Sequence, residues 1–157
     1  DLHDIARSAR TFGLDRYYVV HPTRALRRLM QKVCEHWESG YGLQYNPNRS
    51  DALELISIVP DFDDVLLDIE SRTGELPAII TTSARASADT ISFETLRFKL
   101  EDAKRPHLLL LGTGWGMADE LMSRADYRLE PIEGFSDYNH LSVRAAAAII
   151  FDRLCGA

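Results

Sequence analysis

Four consecutive leucines, Leu108 to Leu111, stop abruptly at Gly112-Thr113-Gly114-Trp115-Gly116. A strand with no polar alternation has no face to offer to water, so both of its faces need cover. The glycines that follow let the backbone turn tightly and let a ligand approach the main chain. Open α/β sheets make their binding crevices this way, just outside the carboxyl ends of their strands. The remainder of the chain must then supply neighbouring strands and covering helices.

The chain supplies them in alternation. Leu2 to Phe12 reads as a helix closed by Gly13, and Tyr17 to Val20 as a short strand. His21-Pro22-Thr23 breaks that strand, and Thr23 is placed to cap a helix running to about Trp37. Helical spacing puts Leu26, Leu29, Met30 and Val33 on one face. Glu38 to Ser50 is rich in Gly, Tyr, Asn and Pro and reads as a long ordered loop. Leu55 to Val59 is the next strand, and Pro60-Asp61 opens a helix through about Glu70. Ala78 to Thr81 is a short buried strand leading into Thr82-Ser83-Ala84-Arg85. Ser92 caps a helix over Phe93 to Leu100. A short helix over Ala118 to Ser123, a short strand over Tyr127 to Leu129 and a last helix from about Leu141 to Leu154 complete the series. Strands separated by helices predict a parallel sheet with helices on both faces.

At 157 residues the chain is long enough for one domain with a real core. No apolar run approaches the roughly 20 residues of a membrane span. No secretory signal pattern opens the chain, so the expected location is cytoplasmic. Cys34 and Cys155 lack metal-ligand spacing, and no metal site is expected; both read as reduced, partly buried thiols. The net charge of −6 argues against a general nucleic-acid coat protein. The charge is uneven, however. Residues 1–50 carry Arg7, Arg10, Arg16, Arg24, Arg27, Arg28, Lys32 and Arg49, whereas Asp61, Asp63, Asp64 and Asp68 follow. The basic stretch reads either as a local face for a phosphate backbone or as ordinary solvated helix surface.

Three loops carry the candidate chemistry. Gly112 to Gly116 is neither a GxGxxG fingerprint with its ribose-binding acid nor a P-loop, because no Gly-Lys-Ser/Thr follows. Leu129-Glu130-Pro131-Ile132 ends a strand at a proline that forbids a continuing helix. Tyr138-Asn139-His140-Leu141-Ser142 opens the Ala-rich last helix, with Asn139 placed to cap it. The N–H groups at that helix start suit a carboxylate or a phosphate. At the amino end, Arg7 and Arg10 lie on neighbouring helix faces. They read either as anion contacts or as partners of Asp1 and Asp4.

The order and wording of these loops resemble the SPOUT (α/β-knot) methyltransferases, and in particular the SAM-dependent RNA methyltransferase domain that occurs alone or fused to a tRNA guanine-N1 methyltransferase. Asp4 to Gly13 is similar to the first motif of the SPOUT ribose 2′-O-methyltransferases, with the active-site arginine falling on Arg7. The resemblance implies a single domain over 1–157 with a deep C-terminal trefoil knot, and relatives have a strand upstream of the segment matching Asp1 to Gly13, so the chain is expected to lack its first strand. It implies S-adenosylmethionine as cofactor, held at Thr81, Thr82, Ser83, Leu111, Gly112, Thr113, Gly114, Gly116, Leu129, Pro131, Ile132, Asn139, His140 and Leu141. It also implies a homodimer packed through the last helix, and RNA, with transfer RNA expected, held by Arg7, Arg10 and Arg85. The chain departs from the ribose methyltransferases at Gly114, where they carry Glu, and at His140, where they carry Asn. Both changes leave the acceptor, a ribose 2′-hydroxyl or a base, open.

Methyl transfer asks mainly for orientation and exclusion of water. A base with a pKa near working pH points to His140, and Arg7 and Ser142 complete the expected catalytic group. Two rivals stand beside this reading. One is a module that binds S-adenosylmethionine and RNA, or dimerises, without catalysis. The other is a nicotinamide enzyme on a doubly wound fold, against which the missing acid after the glycine loop speaks.

Overall fold

The computed structural model describes residues 1–38, 47–113 and 116–157, and every pairing between its strands is parallel. The chain divides into two compact units, Asp1–Asp68 and Ile69–Ala157.

In the first unit, helix α1 (Leu2–Thr11) precedes strand β1 (Tyr17–Val20), helix α2 (Arg24–Glu38), helix α3 (Pro47–Leu53) and strand β2 (Ile56–Val59). Strand β1 pairs with β2 in register from Tyr17 opposite Ile56 to Val20 opposite Val59. One face of α1 is buried through Ile5, Ala6 and Ala9. The helix closes at Gly13, whose φ of +76° lies in the left-handed region that glycine enters without a Cβ penalty. Ala6, Ala52 and Leu53 form a core against which Tyr17, Trp37 and Ile56 pack. Helix α4 (Phe62–Thr73) follows β2, and the Asp61 carboxylate accepts the Asp64 N–H at 3.1 Å across its first turn.

In the second unit, β3 (Ala78–Thr81) is followed by α5 (Phe93–Glu101), β4 (His107–Leu110), a one-turn α6 (Asp119–Met122), β5 (Tyr127–Arg128) and α7 (Val143–Cys155). The sheet order is β4-β3-β5, so β3 is central and buried at all four residues. Ile79 and Ile80 fill the sheet, while Leu96 on α5 and Ala147, Ile150, Phe151 and Leu154 on α7 bury facing helix surfaces. Full burial of a side chain such as Leu96 contributes about 2–3 kcal/mol. The Arg97 guanidinium locks the two helices by donating to the Arg153 carbonyl at 3.0 Å and to the Gly156 carbonyl.

The predicted strands and most helix spans hold to within a residue or two, and four expectations change. The loop expected over Glu38 to Ser50 contains the start of α3, because Pro47 sits at the first helical position, where its missing N–H costs nothing; residues 39–46 lie outside the described residues. On α2, Leu26 and Leu29 are exposed and Cys34 is the buried residue. Strand β4 is half-buried along its length because it is the sheet edge among the described residues, not an enclosed strand. Cys155 is exposed instead of partly buried. No helix among the described residues is long and apolar enough to cross a membrane.

Candidate functional site

The loops leaving β3 and β5 and the segment entering α7 converge on one side chain. The Asn139 carboxamide donates to the Ile132 carbonyl at 3.0 Å and to the Ala84 carbonyl at 3.2 Å. Asn139 is therefore not the cap of α7. That place belongs to Ser142, whose Oγ accepts the Ala145 N–H at 3.3 Å. The reason is local geometry. Ser142 is the residue immediately before the first helical position, while Asn139 lies a turn too early to reach the orphan N–H groups.

Further bonds fix the same loops. The Leu129 N–H donates to the Thr81 carbonyl at 2.9 Å, and the Glu130 carboxylate accepts the Phe93 N–H at 2.7 Å. Glu130 thereby ties the strand end at Pro131 to the start of α5, whose cap is Ser92 through the Thr95 N–H at 3.1 Å. The Thr82 hydroxyl donates to the Leu110 carbonyl at 2.8 Å and holds together the ends of β3 and β4. The Ser83 hydroxyl accepts the Arg85 N–H at 3.0 Å, shaping the turn that presents Arg85.

In the glycine loop, the Gly116 N–H donates to the Thr113 carbonyl at 2.6 Å, and Gly116 has a φ of +77°. A Cβ on Gly112 would stand 2.9 Å from the Gly116 carbonyl carbon. That is backbone against backbone, so only glycine allows the approach. Leu111 and Gly112 are half-buried and Thr113 is exposed. Gly114 lies outside the described residues.

A cleft of about 360 Å³ opens at the carboxyl ends of β3 and β5. Thr81, Thr82, Ser83 and Leu129 line it, and so does Arg85. Its size falls in the range of small-molecule sites. Asp119, Met122 and Arg128 also line it and were not among the expected residues. Their signal in the sequence was weak: a short polar helix and a two-residue strand show no periodicity. The expected residues of the glycine loop and of Pro131, Ile132, Asn139, His140 and Leu141 are not among the described residues that line the cleft. His140 and Leu141 are exposed, and the His140 ring meets Tyr138 edge-on at 5.0 Å.

Arg7 and Arg10 belong to the first unit. Arg7 is exposed, and its carbonyl accepts the Thr11 hydroxyl at 2.8 Å. Arg10 pairs with Asp51 at 3.5 Å and not with Asp1 or Asp4, both side chains being more than half exposed. Such a pair contributes at most about 1 kcal/mol.

One feature of the cleft points to a ligand. Thr81 is fully buried, and its Oγ1 has no hydrogen-bond partner among the described residues. An unpaired buried hydroxyl costs about 1–3 kcal/mol. Thr82, Ser83 and Arg85 bring further polar groups to the cleft around it. These residues fit a nucleoside-type cofactor. Among the described residues no group of His, Cys, Asp or Glu is placed to hold a metal ion.

The chain is 46% identical over 156 residues to a tRNA (guanine-N(1)-)-methyltransferase of Oleidesulfovibrio alaskensis, covering 99% of this chain and 36% of that protein. It is 42% identical over 154 residues to an uncharacterized protein of Aquifex aeolicus, covering 98% of this chain and 75% of that one. The chain thus spans about a third of the length of the named methyltransferase it matches. Among solved structures, a probable methylase family protein from Haemophilus influenzae superposes with a TM-score of 0.68 at 19% identity, covering 98% of this chain and 57% of that one. The SpoU methyltransferase AviRb from Streptomyces viridochromogenes, solved with AdoMet, superposes with a TM-score of 0.59 at 20% identity, over 98% and 54%. These structures share the mixed α/β fold with parallel sheets. The model of the SAM-dependent RNA methyltransferase family matches residues 1–156, and the chain belongs to that family.

Proposed function

We propose that this chain transfers the methyl group of S-adenosylmethionine to transfer RNA, at a ribose 2′-hydroxyl or a base. The observation that carries the reading is the cleft at the carboxyl ends of β3 and β5, lined by Thr81, Thr82, Ser83 and Arg85, in a chain whose residues 1–156 match a SAM-dependent RNA methyltransferase family. Transfer RNA is favoured by the name of the Oleidesulfovibrio relative.

The cofactor, when bound, supplies an electrophilic sulfonium methyl group. The protein's residues orient and enclose. Thr81, Thr82, Ser83 and Leu129 hold the ligand at the strand ends, and main chain at Leu111, Gly112, Thr113, Gly114, Gly116, Pro131 and Ile132 contacts it where no side chain intervenes. Asn139 ties the Ala84 and Ile132 loops together, and His140 and Leu141 close the rim. His140 takes the proton from the acceptor. Ser142 offers its hydroxyl hydrogen while its oxygen caps α7, and Arg7 stabilises charge developing on the acceptor. Arg10 and Arg85 hold phosphates. We further propose that residues 1–157 act as one domain, with helices on both sheet faces and a C-terminal trefoil knot. The domain pairs through α7 as a homodimer in the cytoplasm.

Calorimetric titration with S-adenosylmethionine, followed by radiolabelled methyl transfer to unmodified transfer RNA, tests the reading. Micromolar binding and transfer, with transfer lost in His140→Ala, is the expected result. Binding without transfer to any RNA would leave a non-catalytic module. Absence of binding would overturn the cofactor assignment.

A further inference from the structure

A second cleft, of about 380 Å³, lies at the opposite, amino-terminal ends of β3, β4 and β5. Phe98, Lys99, Lys104, Arg105, His107 and Tyr127 line it, with Asp102 as its lone carboxylate. The aromatic groups are ordered. His107 stacks on Tyr127 with ring centres 6.3 Å apart and planes 11° apart, and the Lys99 ammonium sits 5.7 Å from the Tyr127 ring centre. Phe98 is 73% exposed and stands at the same rim.

Two groups here are held in place by the main chain. The Arg105 Nε and Nη2 donate to the Leu76 and Pro77 carbonyls at 2.9 and 3.3 Å, which fixes the guanidinium on the surface. The His107 Nδ1 lies 2.9 Å from the Arg105 carbonyl, which as acceptor makes Nδ1 the donor and leaves Nε2 for another partner. The carbonyl end of α5 accounts for Lys99, which sits in its last turn. It does not account for Lys104, Arg105 and His107, which lie beyond the helix. Lys104 has no ion-pair partner among the described residues.

We propose that this cleft is a second RNA-contact surface, in which Lys104 and Arg105 hold the phosphodiester backbone and Phe98 stacks on an unpaired base. The proposal rests on the RNA-methyltransferase reading and extends it to the other end of the sheet. In a chain of net charge −6, RNA affinity must come from local basic surface. Cations interleaved with an exposed aromatic platform suit single-stranded RNA better than a duplex, whose bases are already stacked. Strands of four residues span about 13 Å, so the two clefts are near enough for one folded RNA to reach both.

The test is fluorescence anisotropy of a labelled RNA hairpin with a single-stranded loop, titrated with the whole chain at several salt concentrations. Phe98→Ala is expected to weaken binding roughly 10-fold. Lys104→Ala is expected to lower the log–log salt slope by about one. Both variants should keep wild-type S-adenosylmethionine binding, which shows that they fold. Wild-type hairpin affinity and slope in both variants, with affinity lost in Arg85→Ala, would overturn this proposal and leave the functional reading intact. Polyglutamate bound as tightly as the hairpin and lost with the same variants would assign the cleft to an acidic protein and overturn it too. A wild-type chain that binds no RNA would overturn both.

Discussion

The Asn139 side-chain amide donates to the Ile132 carbonyl at 3.0 Å, and its other donor reaches Ala84. One polar side chain therefore satisfies two carbonyls on two different loops. Neutral hydrogen bonds of this kind contribute about 0.5–1.5 kcal/mol each. Asn139→Ala is expected to lower cofactor affinity roughly 10-fold, the equivalent of about 1.4 kcal/mol, with little change in secondary structure. Faster amide hydrogen exchange should be confined to the loops around Ala84 and Ile132. Unchanged exchange in those loops would show that Asn139 does not hold them.

Ser142 separates a structural from a chemical role. As the cap of α7 it accepts the Ala145 N–H, and Ser142→Ala should cost about 1 kcal/mol of stability. Glycine is tolerated at the same position for only a few tenths of a kcal/mol. Ser142→Gly should therefore unfold near the wild-type denaturant midpoint. If methyl transfer nonetheless falls in that variant, the hydroxyl acts in the chemistry; full activity would confine Ser142 to capping.

Gly112 and Gly116 make a contrast within one loop. A Cβ at Gly112 collides with the Gly116 backbone, whereas one at Gly116 meets open space but strains a positive φ. Gly116→Ala should cost about 1 kcal/mol. Gly112→Val must displace main chain, at about 1–3 kcal/mol, and should abolish the calorimetric signal for S-adenosylmethionine. Retention of binding in Gly112→Val would place the cofactor away from this loop.

Thr81→Val removes the unpartnered buried hydroxyl with little change of shape. The ligand-free protein should gain about 1 kcal/mol in urea unfolding. The same variant should bind S-adenosylmethionine more weakly. Greater stability with unaltered binding would show that the hydroxyl has no part in the site.

Burial pushes the Tyr17 phenol up to about 12 from its usual 10.0. A raised pKa means that the folded protein holds its proton while the unfolded chain has lost it. The contribution to stability is thus complete below pH 10 and is lost as pH rises through 12. The difference corresponds to roughly 3 kcal/mol at most. Tyr17→Phe should flatten the fall in unfolding free energy between those pH values; a parallel fall in both proteins would remove Tyr17 as its cause.

Much of the fold was legible in residues that act locally. Gly13 ended α1, Ser92 began α5, and the apolar runs at Ala78 and Leu108 became adjacent parallel strands. Backbone sterics, capping bonds and hydrophobic period all operate within one or two turns, so the sequence by itself determined the element order and the strand ends where the loops open. It did not determine which strand would be central. Ala78–Thr81 is enclosed and His107–Leu110 is an edge, although the leucine run is the more apolar of the two. That choice depends on pairing between distant segments. The same is true of the site. Asn139 looked like a cap and instead bridges Ala84, 55 residues away, to Ile132. Arg128 and Asp119 entered the cleft without a local signal. Tertiary structure decided these roles because a side chain's hydrogen-bond partners are set by what folding brings within about 3 Å, a distance that spacing along the chain does not encode.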